Sequence, residues 1–388
     1  MENFLIRLLD QAHLIWVPNW FKLFSDNEQG GFHERLNNDN QPLDMPKRLL
    51  TQCRQVMVYS QALQDDPNNK LYKTKIDEGF QFIIDNYHVE ETGGSIFSIN
   101  LDKTPHDEKY DLYGHAFILL ACSAYYNATE NPDALKHAET TFNFIDESFT
   151  LKDKPGLAES LDSNLVPEGA MRRQNPHMHL MEACIYMYES SQNPVYLQKA
   201  DEMLELFYDK LLDKETTTLC EFFDDDLNPH SEEGNLVEAG HHAEWVWLLQ
   251  RYQEVSGSQD PRIEDTKKAL FSWVIEKGID KEHSGVFNVQ NRDGEIVDSS
   301  KRIWPTLETV RAACIMSADP EYADAAEKVI SNLTQVLEDH YIDVTTGNWT
   351  EFLTRDLKPE TDYRPGTTPY HIFPVLRESA AYLELKQS

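Results

Sequence analysis

Residues 91–105 read ETGGSIFSINLDKTP: a Gly-Gly turn, a short strand-like stretch around Ile96 and Ile99, and a polar turn ending in proline, the pattern of a short β-hairpin. The layout returns at 28–43 (EQGGFHERLNNDNQPL), 153–167 (DKPGLAESLDSNLVP), 215–229 (ETTTLCEFFDDDLNP), 282–296 (EHSGVFNVQNRDGEI) and 345–359 (TTGNWTEFLTRDLKP). With Gly31, Gly94, Gly156, Leu219, Gly285 and Gly347 as equivalent points, the interval is 62 to 66 residues throughout. Six units of one length are a repeat, and a repeat decides the fold before any single element does.

Each interval leaves room for two helices. Apolar residues at helical period predict them at 47–65 and 70–87, 109–127 and 132–149, 174–192 and 194–212, 238–256 and 260–277, 301–317 and 319–340. A first helix near 2–24 and a last near 368–386 complete the set. Pro132, Pro194, Pro261 and Pro320 fall near the starts of second helices, where the missing N–H costs nothing. Six helical hairpins with short loops and no independent sheet bury their apolar faces by closing into a ring, inner helices facing an axis and outer helices wrapping them. The expected fold is all-α, an (α/α)6 barrel or toroid with short β-hairpins in its loops. An open solenoid is the competing architecture, and closure requires the first helix to pack beside the last. No stretch reads as a linker, so a single catalytic domain is expected over 1–388.

Of the 388 residues, 40% are hydrophobic, enough for a large core. Thirty-five Lys+Arg against 67 Asp+Glu leave a net charge of −32, which repels nucleic-acid phosphates and anionic membranes. No run of 18 apolar residues occurs and the amphipathic start is unlike a signal peptide, so no membrane partner and a cytoplasmic location are expected. Cys53, Cys122, Cys184, Cys220 and Cys314 lie far apart with no Cys-x-x-Cys, as buried thiols in a reducing compartment do. Self-association into a homo-oligomer stays open.

Residues of catalytic type collect at one distance from the anchor points. Arg54, Tyr113, His115, His179, His241, Glu244, Trp304, Glu308 and His371 stand 19 to 25 residues beyond them, near the starts of the inner helices, and are expected to face one mouth. In RRQNPHMHLMEA (172–183), which also holds Asn175, His179 and Glu182 share a helix face at i, i+3, so the carboxylate can orient the imidazole. EAGHHAEWVWLL (238–249) repeats that spacing with His241 and Glu244; His242 points elsewhere and reads as structural. His177 and His179 diverge on a helix and cannot easily chelate one ion, so neither a metal nor another cofactor is expected. Arg54 lies on an otherwise apolar face, where a guanidinium needs a protein carboxylate or a ligand oxygen. Tyr113, Trp245, Trp304 and Trp349 offer either core packing or a stacking face for a sugar.

QCRQ (52–55), KYDLYGHAF (109–117), QNPHMHLMEA (174–183), GHHAEW (240–245), RIWPTLE (302–308) and TPYHI (368–372), in this order and spacing, resemble the N-acylglucosamine 2-epimerase superfamily along the whole chain. That superfamily includes cellobiose and mannose 2-epimerases and mannose and sulfoquinovose isomerases. The resemblance implies an (α/α)6 barrel and a metal-independent proton transfer on an open-chain reducing sugar through a cis-enediolate. It implies that His241 and His371 are the acid/base pair with Glu244 supporting His241. Arg54 and His179 would contact substrate oxygens, and Asn175, Tyr113, Trp304 and Glu308 would shape the pocket.

Imidazole independently suits removal of a proton alpha to a carbonyl near neutral pH, and Arg54 suits a developing oxyanion. TTPYHI (367–372) is similar to the isomerase branch, so a mannose–fructose type aldose–ketose isomerase acting on a monosaccharide is expected. His241 would be its single proton shuttle, with His371 assisting ring opening and oxygen protonation. The alternatives are a 2-epimerase of the mannose/glucose, cellobiose or N-acylglucosamine type and an inverting glycoside hydrolase drawing on Glu182, Glu244 and Glu308. Thr367 and Thr368 carry no charge for a sulfonate.

Overall fold

A computed structural model describes residues 2–169 and 171–385; position 386, where the sequence reading ends the last helix, lies outside the described residues. The inner helices are Leu49–Asp65, Leu112–Thr129, Gln174–Ser191, Ala239–Ser256, Ile303–Met316 and Pro369–Leu385. Their early turns are buried on nearly every face, as expected for helices packed between an axis and an outer layer. The outer helices are Lys70–Tyr87, Pro132–Phe144, Pro194–Leu206, Pro261–Trp273 and Ala323–Val336, with Glu2–Gln11 and Val17–Phe24 as the remaining one.

Local chemistry sets these boundaries. Asn131, Asn193 and Asp260 accept the backbone N–H two residues on, and the proline that follows each cap occupies the first helical position. Pro320 differs from the expectation: it sits in the turn before Ala323 rather than at a helix start. Four outer helices close with one widened turn, Ile145–Phe149, Phe207–Leu211, Val274–Gly278 and Leu337–Tyr341, which delivers the chain into the next hairpin.

The hairpins also form a ring. The short strand entering each inner helix pairs antiparallel with the hairpin of the next repeat: Lys47 with Ile99, Tyr110 with Leu161, Arg173 with Phe222, Val237 with Gln290, and Arg302 with Phe352. The sixth strand, Tyr363–Pro365, returns to Arg35–Asn37 of the first hairpin. The first helix packs against the last inner helix, and Trp16 and Trp20 donate their indole N–H groups to the carbonyls of Val344 and Gly347. Gly347 has φ +73°, and a Cβ there would lie 2.4 Å from Trp16 Cβ, so only glycine lets this seam close. The architecture is thus the closed toroid and not the open solenoid.

A buried polar side chain fastens each of four hairpins to its inner helix. Gln52 accepts the N–H of Phe32, while His115, His177 and His242 accept those of Ser95, Leu157 and Leu219 through Nε2. The other ring nitrogen of each histidine faces the carbonyl four residues back. Burial pushes all three imidazoles down to about 4, so each is neutral, donating through Nδ1 and accepting at Nε2. His115 therefore holds a hairpin and does not face the mouth, contrary to the expectation from its offset: it lies two residues past the inward-facing Tyr113, on the other side of the helix. Among the described residues no helix is long and apolar enough to cross a membrane.

Candidate active site

The first turns of the inner helices converge on a cavity of about 230 Å³ at the hairpin face, lined by Arg54, Tyr113, Asn175, His179, His241, Glu244, Trp304 and His371. Inward-facing residues follow an i, i+4 rule: Asn175 and His179, Gly240 and Glu244, and Trp304 and Glu308 sit one turn apart on the axial side of their helices. Gly240 is small for a reason, since a Cβ there would lie 2.5 Å from the Trp304 ring. The indole stands between two imidazoles, its centroid 4.8 Å from His241 and 5.6 Å from His371.

His241 is not paired with Glu244, which corrects the dyad read from the i, i+3 spacing. Its Nδ1 lies 2.9 Å from Glu221 Oε2 and 3.9 Å from Glu238 Oε2. A first-turn side chain leans toward the helix N-terminus, here toward the hairpin that carries Glu221. Burial alone would push the imidazole down, but Glu221 first and then Glu238 outweigh it and raise the group to about 9. His241 is an imidazolium at neutral pH.

His371 has the opposite surroundings. Its Nδ1 is 2.8 Å from Glu308 Oε1, and the other oxygen of Glu308 accepts from Arg311. Burial pushes the Glu308 carboxyl up and the guanidinium opposes that. With an N–H donor on each oxygen, the carboxylate is the form this geometry accommodates. Glu308 thus stands behind an imidazole and does not line the cavity itself, unlike the pocket-shaping place expected of it. Burial, then Arg54, Arg311 and Arg302, hold His371 well below 6.5, so it presents a neutral ring to the cavity.

His179 is pinned by Glu182 at 2.6 Å, whose two oxygens also accept from Tyr370. Burial lowers His179 and its hydrogen bonds hold Glu182 low, giving a neutral ring on a carboxylate. Its Nε2 is 3.8 Å from Glu244. Neither oxygen of Glu244 has a hydrogen-bond partner among the described residues, and burial with Glu308 nearby raises it well above the ordinary carboxyl range. It is a carboxylic acid able to donate to a sugar hydroxyl. Arg54 donates to the Tyr113 hydroxyl at 2.7 Å and lies between Phe117 and Tyr370 at 4.4 and 4.5 Å. Among the described residues no carboxylate forms an ion pair with it, which leaves its charge for a ligand oxygen.

Three groups of donor atoms lie within 4.8 Å of one another, one around each of His179, His241 and His371. In each, the imidazole Nδ1 already faces a glutamate, so these sets read as histidine–carboxylate pairs.

Sequence reasoning missed Arg173, Glu238, Arg302 and Glu351 at the cavity wall, where Thr367 and Thr368 also stand, and Glu221 behind His241. Glu34, Glu159, Glu221 and Glu351 are separated by 125, 62 and 130 residues, one repeat or about two, with Phe97 and Asn288 at the skipped places, and that periodic glutamate was the available signal. Glu34 and Glu159 bond the arginine entering the next inner helix, whereas Glu221 faces His241.

The sequence profile of the family described as N-acylglucosamine 2-epimerase (GlcNAc 2-epimerase) matches residues 30–374. A protein of Rhizobium meliloti (strain 1021) named mannose-6-phosphate isomerase is 28% identical over 369 residues, covering 93% of each chain. The solved cellobiose 2-epimerase of Bacillus thermoamylovorans B4167 superposes with a TM-score of 0.90 at 20% identity, over 98% of this chain and 100% of that one. A solved D-mannose isomerase gives 0.87 at 23% identity, over 100% and 98%; both likenesses establish the shared fold. With a match spanning nearly all of the barrel, the chain belongs to the N-acylglucosamine 2-epimerase family.

Proposed function

We propose that this protein is an aldose–ketose isomerase acting on a free monosaccharide of the mannose–fructose type. The observation that carries the reading is the charge asymmetry of its two cavity imidazoles: the carboxyl groups of Glu221 and Glu238 flank His241, whereas His371 shares its carboxylate partner Glu308 with Arg311 and has Arg54 and Arg302 facing it as well. In 2-epimerisation a proton leaves C2 to one face and returns from the other, so the two imidazoles exchange protonation states at every turnover. Here the exchanged state takes a proton from a group held near 9 and gives it to one held well below 6.5. That gap opposes the exchange at every turnover. In isomerisation each imidazole finishes as it began.

The assignment exchanges the roles expected from sequence. Neutral His371 takes the C2 proton of the open-chain aldose through Nε2 while the C2–H electron pair becomes the C1–C2 double bond. His241 imidazolium donates its proton to O1 as the carbonyl π pair moves onto that oxygen. Arg54 holds the oxygen charge that develops. His371 then returns its proton to C1, and His241 recovers one from O2 as the C2 carbonyl forms. Each imidazole is regenerated, and the sequence runs on protein groups alone.

The cavity, about 230 Å³, is small beside the roughly 300–1,000 Å³ of common ligand sites, which favours one sugar ring over two. Arg173 and Arg302 at its wall already face Glu159 and Glu351, which argues against a phosphorylated sugar. A hydrolase is disfavoured because, of the three glutamates it would draw on, Glu182 and Glu308 are committed to imidazoles, leaving Glu244 alone. Mannose turned over in D₂O tests the proposal: fructose carrying deuterium at C1 is expected, with direct transfer diluting the label. Glucose labelled at C2 appearing before any fructose would overturn it.

A further inference from the structure

Beyond the cavity, one continuous path of buried charged groups is left unused by the mechanism. Arg311, 4% exposed, lies one turn below Glu308 on the same inner helix and donates to it. Its other terminal nitrogen donates to Glu378 Oε2 at 3.0 Å, and Glu378 Oε1 accepts from the Tyr186 hydroxyl at 2.8 Å. The guanidinium is stacked on Trp247 at 3.8 Å, which fixes its plane and directs its two terminal nitrogens to the two carboxylates. Tyr186, Trp247 and Glu378 line a separate cavity of about 290 Å³ at the opposite end of the barrel. A chain of charge-assisted bonds therefore runs from His371 through the barrel core to the far face.

We propose that Arg311 and Glu378 form a positioning relay that selects the tautomer and sets the charge of His371 from the far side of the barrel. The relay decides where one proton sits. While Arg311 occupies one oxygen of Glu308, that carboxyl stays ionised and accepts the Nδ1–H of His371, leaving the Nε2 lone pair directed to the cavity. Without the guanidinium, buried Glu308 takes a proton, because a lone carboxylate is costly there. The acid then donates to Nδ1, the ring proton moves to Nε2, and the base is lost. Glu378 acts in the other sense. It offsets part of the positive charge of Arg311, and its removal leaves His371 facing a fuller guanidinium.

Other groups also face this pair: Arg54 from the first inner helix, His179 and Glu182 from the third, and Glu244 from the fourth, with Arg302 at the rim and Tyr370 beside His371. None of them bridges Glu308 to the far face. The relay concerns catalysis only if His371 is the base, and so it rests on the function proposed above.

The test combines ¹⁵N imidazole shifts, with His371 assigned by loss of its signals in His371→Ala, and pH profiles of mannose turnover. Arg311→Gln is expected to convert His371 from the Nδ1–H to the Nε2–H form and to lower kcat at least ~10-fold with KM little changed. Arg311→Lys, which keeps the charge, is expected to restore the Nδ1–H form and much of kcat. Glu378→Gln is partly exposed and does not depend on tolerating a buried arginine loss. It should keep the tautomer and move the acid limb of the profile downward by about one pH unit. A structural lesion would not distinguish Lys from Gln at 311 or lower the acid limb at 378. An unchanged tautomer in Arg311→Gln, or an unmoved or raised acid limb in Glu378→Gln, overturns the relay. The shifts as expected, with full turnover in His371→Ala, would sustain the relay and sink the assignment of His371 as base.

Discussion

Replacing Glu221 by Gln removes the carboxylate nearest His241 while keeping its shape. The imidazole then loses a partner at 2.9 Å and keeps Glu238 at 3.9 Å. An opposite charge at such range is worth about 1–3 pH units. The basic limb of the turnover profile, expected near 9 in the native protein, should fall accordingly. A fall of about 1.5 units would cut the protonated fraction at about pH 8 from roughly nine-tenths to roughly a quarter. Stability follows the same titration. The folded imidazole binds its proton more tightly than the unfolded one, so this contribution is complete below 6.5 and is lost as pH rises through about 9. Its size is about 3 kcal/mol at 1.36 kcal/mol for each tenfold change. Urea unfolding at about pH 6 and about pH 10 should therefore show a loss of that order in the native protein and a smaller one in Glu221→Gln. An unmoved basic limb would refute the idea that Glu221 keeps His241 charged.

His241→Ala and His371→Ala should each lower turnover at least ~10²-fold with the helical circular dichroism intact, because the lost proton carrier changes the barrier and not the fold. Near-native turnover in either would remove that residue from the chemistry. Exhaustive chelation should leave activity unchanged, since the proposed transfers use protein groups alone; loss on chelation with recovery on one divalent ion would contradict this. His177→Leu should destabilise the fold by about 1–3 kcal/mol by orphaning the buried N–H of Leu157 while kcat and KM hold; a specific fall in kcat in folded protein would place His177 in the chemistry.

The helices and their order were legible in the chain itself because amphipathic periodicity and proline caps act within a few residues. So were the inward positions, since residues one turn apart on an inner helix share a face: Asn175 with His179 and Trp304 with Glu308 follow from spacing alone. Spacing did not reveal which partner each side chain takes. His241 turns to Glu221, twenty positions back across a hairpin, and Arg311 spans Glu308 and Glu378, which lie on different repeats. His179 and Glu182 do pair as their spacing suggests. The seam between Arg35–Asn37 and Tyr363–Pro365 joins the two ends of the chain, a contact that local periodicity cannot encode. The protonation of the two cavity imidazoles is the furthest from the sequence. It is set by the fields of carboxylates and guanidinium groups brought together from several repeats, and those fields fall with distance through the folded barrel, not with separation along the chain.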